Sequence, residues 1–139
     1  MRKRILTVTL TLTLLCTQAF AGWTATPYVS GSDGTFYWDA QSVTYEGNNL
    51  KIWIADDFGE AQISKFSPGA TYFSHKEKLE LNCAKLEARV IEYVEYSEHL
   101  ALGKTVVRNQ NTANWNKIQP DTLSDRIMKT FCPMPKSRQ

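Results

Sequence analysis

The sequence predicts an α+β domain in which an antiparallel sheet of about five or six strands carries one C-terminal helix, tethered to the sheet by a disulfide. Apolar and polar residues alternate in several short segments separated by turn residues, a pattern typical of half-buried strands. A helical spacing of apolar residues is clear only near the C-terminus. Two cysteines remain once the N-terminal export signal is removed, and an even number in an oxidising compartment favours a disulfide.

Residues 1–21 have the features of a cleavable signal peptide. Arg2, Lys3 and Arg4 form a positive start, and the stretch Ile5–Cys16 that follows carries no charge. The small side chains of Ala19 and Ala21 flank Phe20, the pattern that signal peptidase recognises. Cleavage is therefore predicted between Ala21 and Gly22.

The sequence predicts no stable membrane anchor. The uncharged stretch is shorter than the roughly 20 apolar residues that a transmembrane helix needs. Bacterial lipoproteins are cut before a lipid-bearing cysteine that follows a small residue, whereas Leu14 and Leu15 precede Cys16. We therefore expect a periplasmic or secreted protein.

The charge of residues 22–139 excludes a strongly basic protein. The whole chain has 16 lysines and arginines against 14 acidic residues. The signal peptide holds three of the basic residues and no acidic one, which leaves 13 against 14 and a net charge of −1. This balance gives no reason to expect nucleic acid or an anionic membrane as a partner. The length predicts a single domain over residues 22–139.

The N-terminal half predicts strands and turns. Leu50, Ile52 and Ile54 alternate onto one face of a strand, which directs Trp53 to the opposite face. Asp56–Thr71 contains Gly59, Pro68 and Gly69 and is predicted to be a long loop. Further strands are predicted at Trp23–Val29, Thr35–Trp38 and Val43–Tyr45, with turns at Gly31–Gly34 and Glu46–Asn49.

Two strands are predicted after this loop, with an ambiguous segment between them. In Lys76–Cys83 the side chains of Leu79, Leu81 and Cys83 share one face, so Cys83 is expected to point at the core. Residues 85–96 suit either a helix or a strand with a bulge, and the β-branched and aromatic residues favour the strand. Lys104–Arg108 is predicted to be a short strand.

The C-terminal segment predicts a helix that is covalently linked to the sheet. Asp121 or Thr122 can cap a helix, and Pro133 ends it. Its apolar side consists of Leu123, Ile127, Met128 and Phe131. Cys132 in its last turn is expected to form a disulfide with Cys83, closing a loop of about 50 residues and stabilising the fold by about 4 kcal/mol.

Several of these segments resemble the surface-adhesin protein E family of Gram-negative bacteria. The similar segments are Tyr37–Val43, Leu81–Ala84 and Pro120–Thr122, with Cys132 beyond them. The resemblance covers roughly residues 23–133. It implies a small antiparallel sheet with a disulfide-linked C-terminal helix, binding to host extracellular-matrix, plasma or envelope proteins, and the ability to form a homodimer.

No pattern in the sequence predicts an enzyme, a metal site or a cofactor. Catalysis requires a nucleophile with a base, paired carboxylates or a metal constellation. The two histidines, His75 and His99, are expected to be solvent-exposed polar residues. Asp56 and Asp57 are expected to be turn acids, since adjacent strand residues point to opposite faces and cannot form a carboxylate pair.

A binding surface is the better prediction. Trp53 can belong to an exposed aromatic patch if its face of the sheet is uncovered, and such patches mark interfaces. Lys76, Lys78, Lys85 and Arg89 can form a basic stripe, although glutamates interleave with them. These five residues are the candidate binding site.

The function predicted from the sequence is that of an exported, non-enzymatic protein-binding module. One alternative is a periplasmic inhibitor or accessory subunit that inserts the Asp56–Thr71 loop into a partner enzyme. The other is a small-ligand binder or hydrolase built on the same sheet, which requires a concave pocket with convergent polar groups.

Overall fold

One antiparallel sheet forms the body of the described part of the chain. The computed structural model describes residues 22–29 and 34–133. The first six strands lie side by side in chain order, and a short seventh strand pairs with the fifth. The strands are β1 Trp23–Val29, β2 Gly34–Glu46, β3 Asn49–Ile63, β4 Thr71–Asn82, β5 Glu87–Tyr96, β6 Thr105–Asn109 and β7 Asn116–Lys117, and the helix α1 Leu123–Phe131 follows.

This architecture confirms the predicted α+β fold, with a sheet slightly larger than expected. The predicted signal peptide, including Ala21, lies outside the described residues. No helix within residues 22–29 and 34–133 is both long and apolar enough to cross a membrane. The turn predicted at Glu46–Asn49 joins β2 to β3, and Gly47 there has a φ of 60°, a conformation that glycine adopts at no steric cost.

The prediction of a long loop over Asp56–Thr71 is wrong. β3 continues to Ile63, so the loop before β4 consists only of residues 64–70. The prediction that Asp56 and Asp57 are turn acids is also wrong, because they pair in register with His75 and Ser74 of β4. Both aspartates are therefore strand residues, and their side chains lie on opposite faces of the sheet.

The ambiguous segment is a strand that contains a bulge. Val90 lies opposite Leu79 and Glu92 lies opposite Lys78, which leaves Ile91 as an extra residue in β5. The bulge explains why a strict alternation failed to describe this segment. The strand begins at Glu87, because Leu86 has a φ of 56° and belongs to the turn after β4.

The core lies between α1 and one face of the sheet. The cluster consists of Leu50, Ile52, Ile54, Leu79 and Leu81 from β3 and β4, with Leu123, Ile127 and Met128 from α1. We call this side of the sheet the helix face and the opposite side the outer face. Alternation along β3 and β4 determines which residues reach each face.

Two local features fix α1 on the helix face. Thr122 caps the helix, since its side chain accepts a hydrogen bond from the backbone N–H of Asp125. The predicted disulfide joins Cys83 and Cys132, whose Cα atoms are 5.8 Å apart, and both cysteines pack against the core. Cys83 follows β4 directly and is not part of the strand.

Candidate functional site: the outer face of the sheet

Trp53 lies on the outer face at the centre of the sheet. Ile52 and Ile54 beside it are buried in the core, whereas Trp53 is partly exposed. This is the orientation that the alternation along β3 predicts.

Two lysines of β4 lie over the Trp53 ring. Lys78 is directly opposite Trp53 in the strand pairing, and Lys76 is two positions further along the same face. The Nζ atoms of Lys76 and Lys78 are 5.3 and 5.7 Å from the centroid of the indole ring. Lys76 Nζ is also 5.2 Å from the ring centroid of Tyr96. These distances allow cation–π attraction. We call Trp53, Lys76, Lys78 and Tyr96 the aromatic–basic patch.

The acidic side chains beside the patch are already paired with other cations. Glu80 Oε2 is 2.6 Å from Arg89 Nη2, and Glu92 Oε1 is 2.6 Å from Arg108 Nη1. Within residues 22–29 and 34–133, neither Lys76 nor Lys78 has a carboxylate within ion-pair distance. The aromatic–basic patch therefore carries positive charge that no ion pair within the described part of the chain neutralises.

The other two candidate binding residues do not join this patch. Arg89 is on the outer face, but its guanidinium bonds Glu80 and stacks over Trp115, 4.3 Å from the ring centroid. Lys85 is exposed in the turn between β4 and β5, where its carbonyl accepts a hydrogen bond from Lys117 Nζ. Of the five candidate binding residues, the structure thus brings together Trp53, Lys76 and Lys78.

A short segment after β5 covers one end of the outer face. The backbone N–H of Leu100 donates to Asp57 Oδ1 at 2.7 Å, and the N–H of Ala101 donates to Ser74 Oγ at 2.9 Å. His99 lies beside the same carboxylate, with Nδ1 3.2 Å from Asp57 Oδ1. Asp57 therefore holds the segment His99–Ala101 in place. His99 is half-exposed, in agreement with the expectation for this histidine.

Three titratable side chains, those of Asp56, His75 and Glu77, lie on the helix face. His75 is mostly buried, against the rings of Phe58 and Tyr93, so the expectation of an exposed residue is wrong. Burial lowers the pKa of His75 to about 4. Asp56 is only 4% exposed, and burial raises its pKa to about 6. Burial, with the nearby Asp56 charge, raises the pKa of Glu77 to about 7.

No simple sequence signal identified this buried polar group. Asp56 and His75 are opposite one another only because of the register between β3 and β4, and Glu77 is two residues from His75 on the same face. No group of three or more His, Cys, Asp or Glu side chains with metal-binding geometry occurs in the described ranges.

Comparisons with known proteins agree with this fold. A family model described as surface-adhesin protein E matches residues 23–133. A crystal structure of protein E from non-typeable Haemophilus influenzae has a TM-score of 0.60 at 17% identity, covering 84% of this chain and 78% of that one. Crystal form II of Haemophilus influenzae protein E has a TM-score of 0.57 at 17% identity, covering 70% and 79%. At this identity the structural likeness concerns the fold. No curated protein sequence matches the chain.

Proposed function

The chain belongs to the surface-adhesin protein E family, and from that premise we propose that it is an exported, non-enzymatic domain that binds another protein. The match extends over nearly all of the described residues, so it concerns the whole sheet and α1. Adhesins act by attachment, which supports a binding role over a catalytic one. The partner class is an extracellular-matrix, host or envelope protein.

The aromatic–basic patch is the binding surface in this proposal. The observation that supports it is the pair Lys76 and Lys78 over the partly exposed Trp53 ring, without a carboxylate partner among the described residues. Tryptophan is among the residues that most often dominate binding energy at protein interfaces. The unpaired positive charge favours a partner with an acidic surface. Because the patch is built on paired strands, little backbone conformational entropy is lost on binding.

Export through a cleaved signal peptide is part of the same proposal. The charged start, the uncharged stretch and the Ala19-Phe20-Ala21 sequence support cleavage before Gly22. Membership of a surface-adhesin family supports a location outside the cytoplasm. We propose that residues 22–139 then act as a single domain in the periplasm or after release.

The alternative of a loop inserted into a partner enzyme has less support. β3 continues to Ile63, so only residues 64–70 are free of strand structure in the segment assigned to that role. Ser64 Oγ accepts hydrogen bonds from the N–H groups of Phe66 and Ser67, which keeps this loop compact. A loop this short and compact does not extend far enough from the sheet to enter the active site of a partner enzyme.

Charge reversal at the patch tests the proposed binding surface. We expect Lys76→Glu with Lys78→Glu to weaken binding of the purified domain about tenfold or more to whichever partner it retains. The measurement is biolayer interferometry against immobilised extracellular-matrix proteins and against envelope proteins of the source bacterium. The loss is expected to shrink at high salt, because exposed charges are screened.

Lys65→Glu is the matched control. Lys65 is exposed in the loop after β3, and Phe66 beside it contacts Tyr93 on the helix face. The control makes the same change of charge per residue and is expected to leave affinity within about twofold of the wild type. Equal binding by the double variant and the wild type at low salt would exclude the patch as the binding surface.

A further inference from the structure

A cleft opens on the helix face beside the N-terminus of α1. It lies between the sheet, the segment 113–119 and the first residues of α1, and its volume is about 570 Å³. Sites for small molecules usually measure about 300 to 1,000 Å³. Apolar side chains form much of the wall, among them Phe36, Ile54, Leu79, Val90, Ile118 and Leu123.

Acidic side chains lie at one end of this apolar cleft. Asp56 and Glu77 line it together with His75. Asp56 is 4% exposed, and although the backbone N–H of Asp57 donates a hydrogen bond to its carboxyl group, its buried Oδ1 atom has no partner among residues 22–29 and 34–133. The nearest ion-pairing group to Glu77 is His75, with Nε2 3.7 Å from Oε1. A buried carboxylate oxygen without a donor is unfavourable, so this end of the cleft favours a ligand that donates hydrogen bonds.

The protein supplies no cation to these carboxyl groups within the described residues. Arg89 and Lys117 also line the cleft, but Arg89 pairs with Glu80 and Lys117 Nζ is 3.1 Å from Glu87 Oε1. His75 is neutral near pH 7, because burial lowers its pKa to about 4. The remaining titratable groups around His75 are Tyr72, Tyr93 and Glu95, and none of them is cationic.

The pKa values of both acids are raised, as burial without a neighbouring cation produces. Burial raises the pKa of Asp56 to about 6 and that of Glu77 to about 7. A cation bound between them would favour the ionised forms and lower both pKa values again. Binding near neutral pH would then release protons.

We propose that this cleft binds a small organic cation, a protonated amino group carried on an apolar body. The amino group donates hydrogen bonds to Asp56 and Glu77, and the body packs against Phe36, Ile54 and Leu79. The proposal is independent of the aromatic–basic patch, because the cleft is on the helix face and the patch is on the outer face. The combination of an acidic end and an apolar wall selects for charge and hydrophobic bulk together.

Three probes of equal chain length separate charge from hydrophobicity. Hexylamine, hexanol and hexanoate are each titrated into the folded chain at pH 7.5, followed by protein NMR chemical shifts and by isothermal titration calorimetry. Hexylamine is expected to bind about tenfold or more tightly than hexanol, and hexanoate is expected not to bind. Equal affinity for hexylamine and hexanol, or absence of binding by hexylamine, would overturn the proposal.

Variants then locate the charge that recognises the amine. Asp56→Asn and Glu77→Gln keep the size of each side chain and are expected to lower hexylamine affinity about tenfold each, with hexanol affinity unchanged. Glu60→Gln, an exposed acid on β3, is the control and is expected to have no effect. A melting curve of each variant confirms that it is folded. Wild-type affinity for hexylamine in both cleft variants would contradict the assignment.

Proton release gives a second readout. Calorimetry at pH 6.5 in two buffers of different ionisation enthalpy measures the protons released when hexylamine binds. The wild type is expected to release a fraction of a proton, and the Asp56→Asn, Glu77→Gln double variant none. The Lys76→Glu, Lys78→Glu variant is expected to bind hexylamine normally, so a failure of the proposed protein-binding surface leaves this proposal testable.

Discussion

Asp56 and Asp57 are neighbours in β3 and have opposite environments. Asp57 is on the outer face, where it accepts a hydrogen bond from Leu100 and contacts His99. Asp56 is buried on the helix face, and its Oδ1 atom fits against the backbone of Gly34. A Cβ atom at position 34 would lie 2.5 Å from that oxygen, so glycine there makes room for the buried carboxyl group.

Because the carboxyl group of Asp56 is buried, we expect its replacement by asparagine to raise the free energy of unfolding by an amount that depends on pH. Its pKa is raised to about 6 from an ordinary value of about 4, so this carboxyl group lowers the free energy of unfolding progressively as pH rises from about 4 to about 6. We expect Asp56→Asn to stabilise the protein by up to about 3 kcal/mol at pH 8 and to be nearly neutral at pH 4. Urea unfolding followed by circular dichroism at both pH values measures the difference.

The Asp56→Asn variant removes the Asp56 titration and also lowers the pKa of Glu77, because the Asp56 charge contributes to raising it. Glu77 acts in the same direction as Asp56, because its pKa is raised to about 7. His75 acts in the opposite direction, because its pKa is lowered to about 4 and stability is lost as pH falls from about 6.5 to that value. Glu60→Gln serves as the exposed control. A stability difference for Asp56→Asn that does not grow with pH would disprove the proposed ionisation cost.

At the level of elements, α1 depends on its links to the sheet. It is a short helix of 9 residues, and isolated helices of that length are marginal in water. Ile127 is fully buried against the sheet, and the ring of Phe131 packs edge-on against Trp38 with centroids 5.4 Å apart. Tyr45 Oη donates a hydrogen bond to the carbonyl of Phe131 at 2.7 Å. The end of α1 that holds these contacts also holds the disulfide.

Removal of the disulfide is expected to destabilise the domain substantially. Cys83 and Cys132 are 49 positions apart, so their bond restricts a large loop in the unfolded chain. We expect the Cys83→Ser, Cys132→Ser double variant to lose about 4 kcal/mol of unfolding free energy, measured by urea denaturation. Wild type in excess reductant is the matched control and is expected to fall to the stability of the variant. Equal stability of oxidised wild type and variant would show that the tether contributes nothing.

At the scale of the whole molecule, the two faces of one sheet have different roles in our proposals. The outer face presents the aromatic–basic patch to a protein, and the helix face holds the core and the cleft. The disulfide joins α1 to the end of β4, and α1 supplies both core residues and one wall of the cleft. Export matters to this arrangement, because the disulfide persists only in an oxidising compartment.

Expression of residues 1–139 tests export and oxidation together. We expect the product recovered from the periplasm to begin at Gly22 and to contain no free thiol, since Cys16 is removed with the signal peptide and the other two cysteines are bonded. Intact mass spectrometry with and without alkylation measures both properties. The matched control replaces Ala19 and Ala21 by bulky residues and is expected to retain residues 1–21. Recovery of the wild type with those residues attached, or with two alkylated cysteines, would contradict the proposal.

The sequence by itself determined the features that depend on local pattern. Alternation placed Trp53 opposite the core, the Thr122 cap and apolar spacing predicted α1, and the pair Cys83 and Cys132 predicted its tether. Each of these follows from a period or a residue type along a single stretch of chain. The bulge in β5 was also predicted, because a break in alternation is itself a signal.

Only the tertiary structure decided where the polar residues of β3 and β4 belong. Asp56 and His75 meet through strand register, and the cleft around them is completed by the segment 113–119 and by α1. The sequence predicts turn acids at Asp56 and Asp57 because adjacent strand residues point to opposite faces and cannot form a carboxylate pair. Here the carboxyl groups are buried and their pKa values rise, and that outcome depends on contacts between residues far apart in the chain.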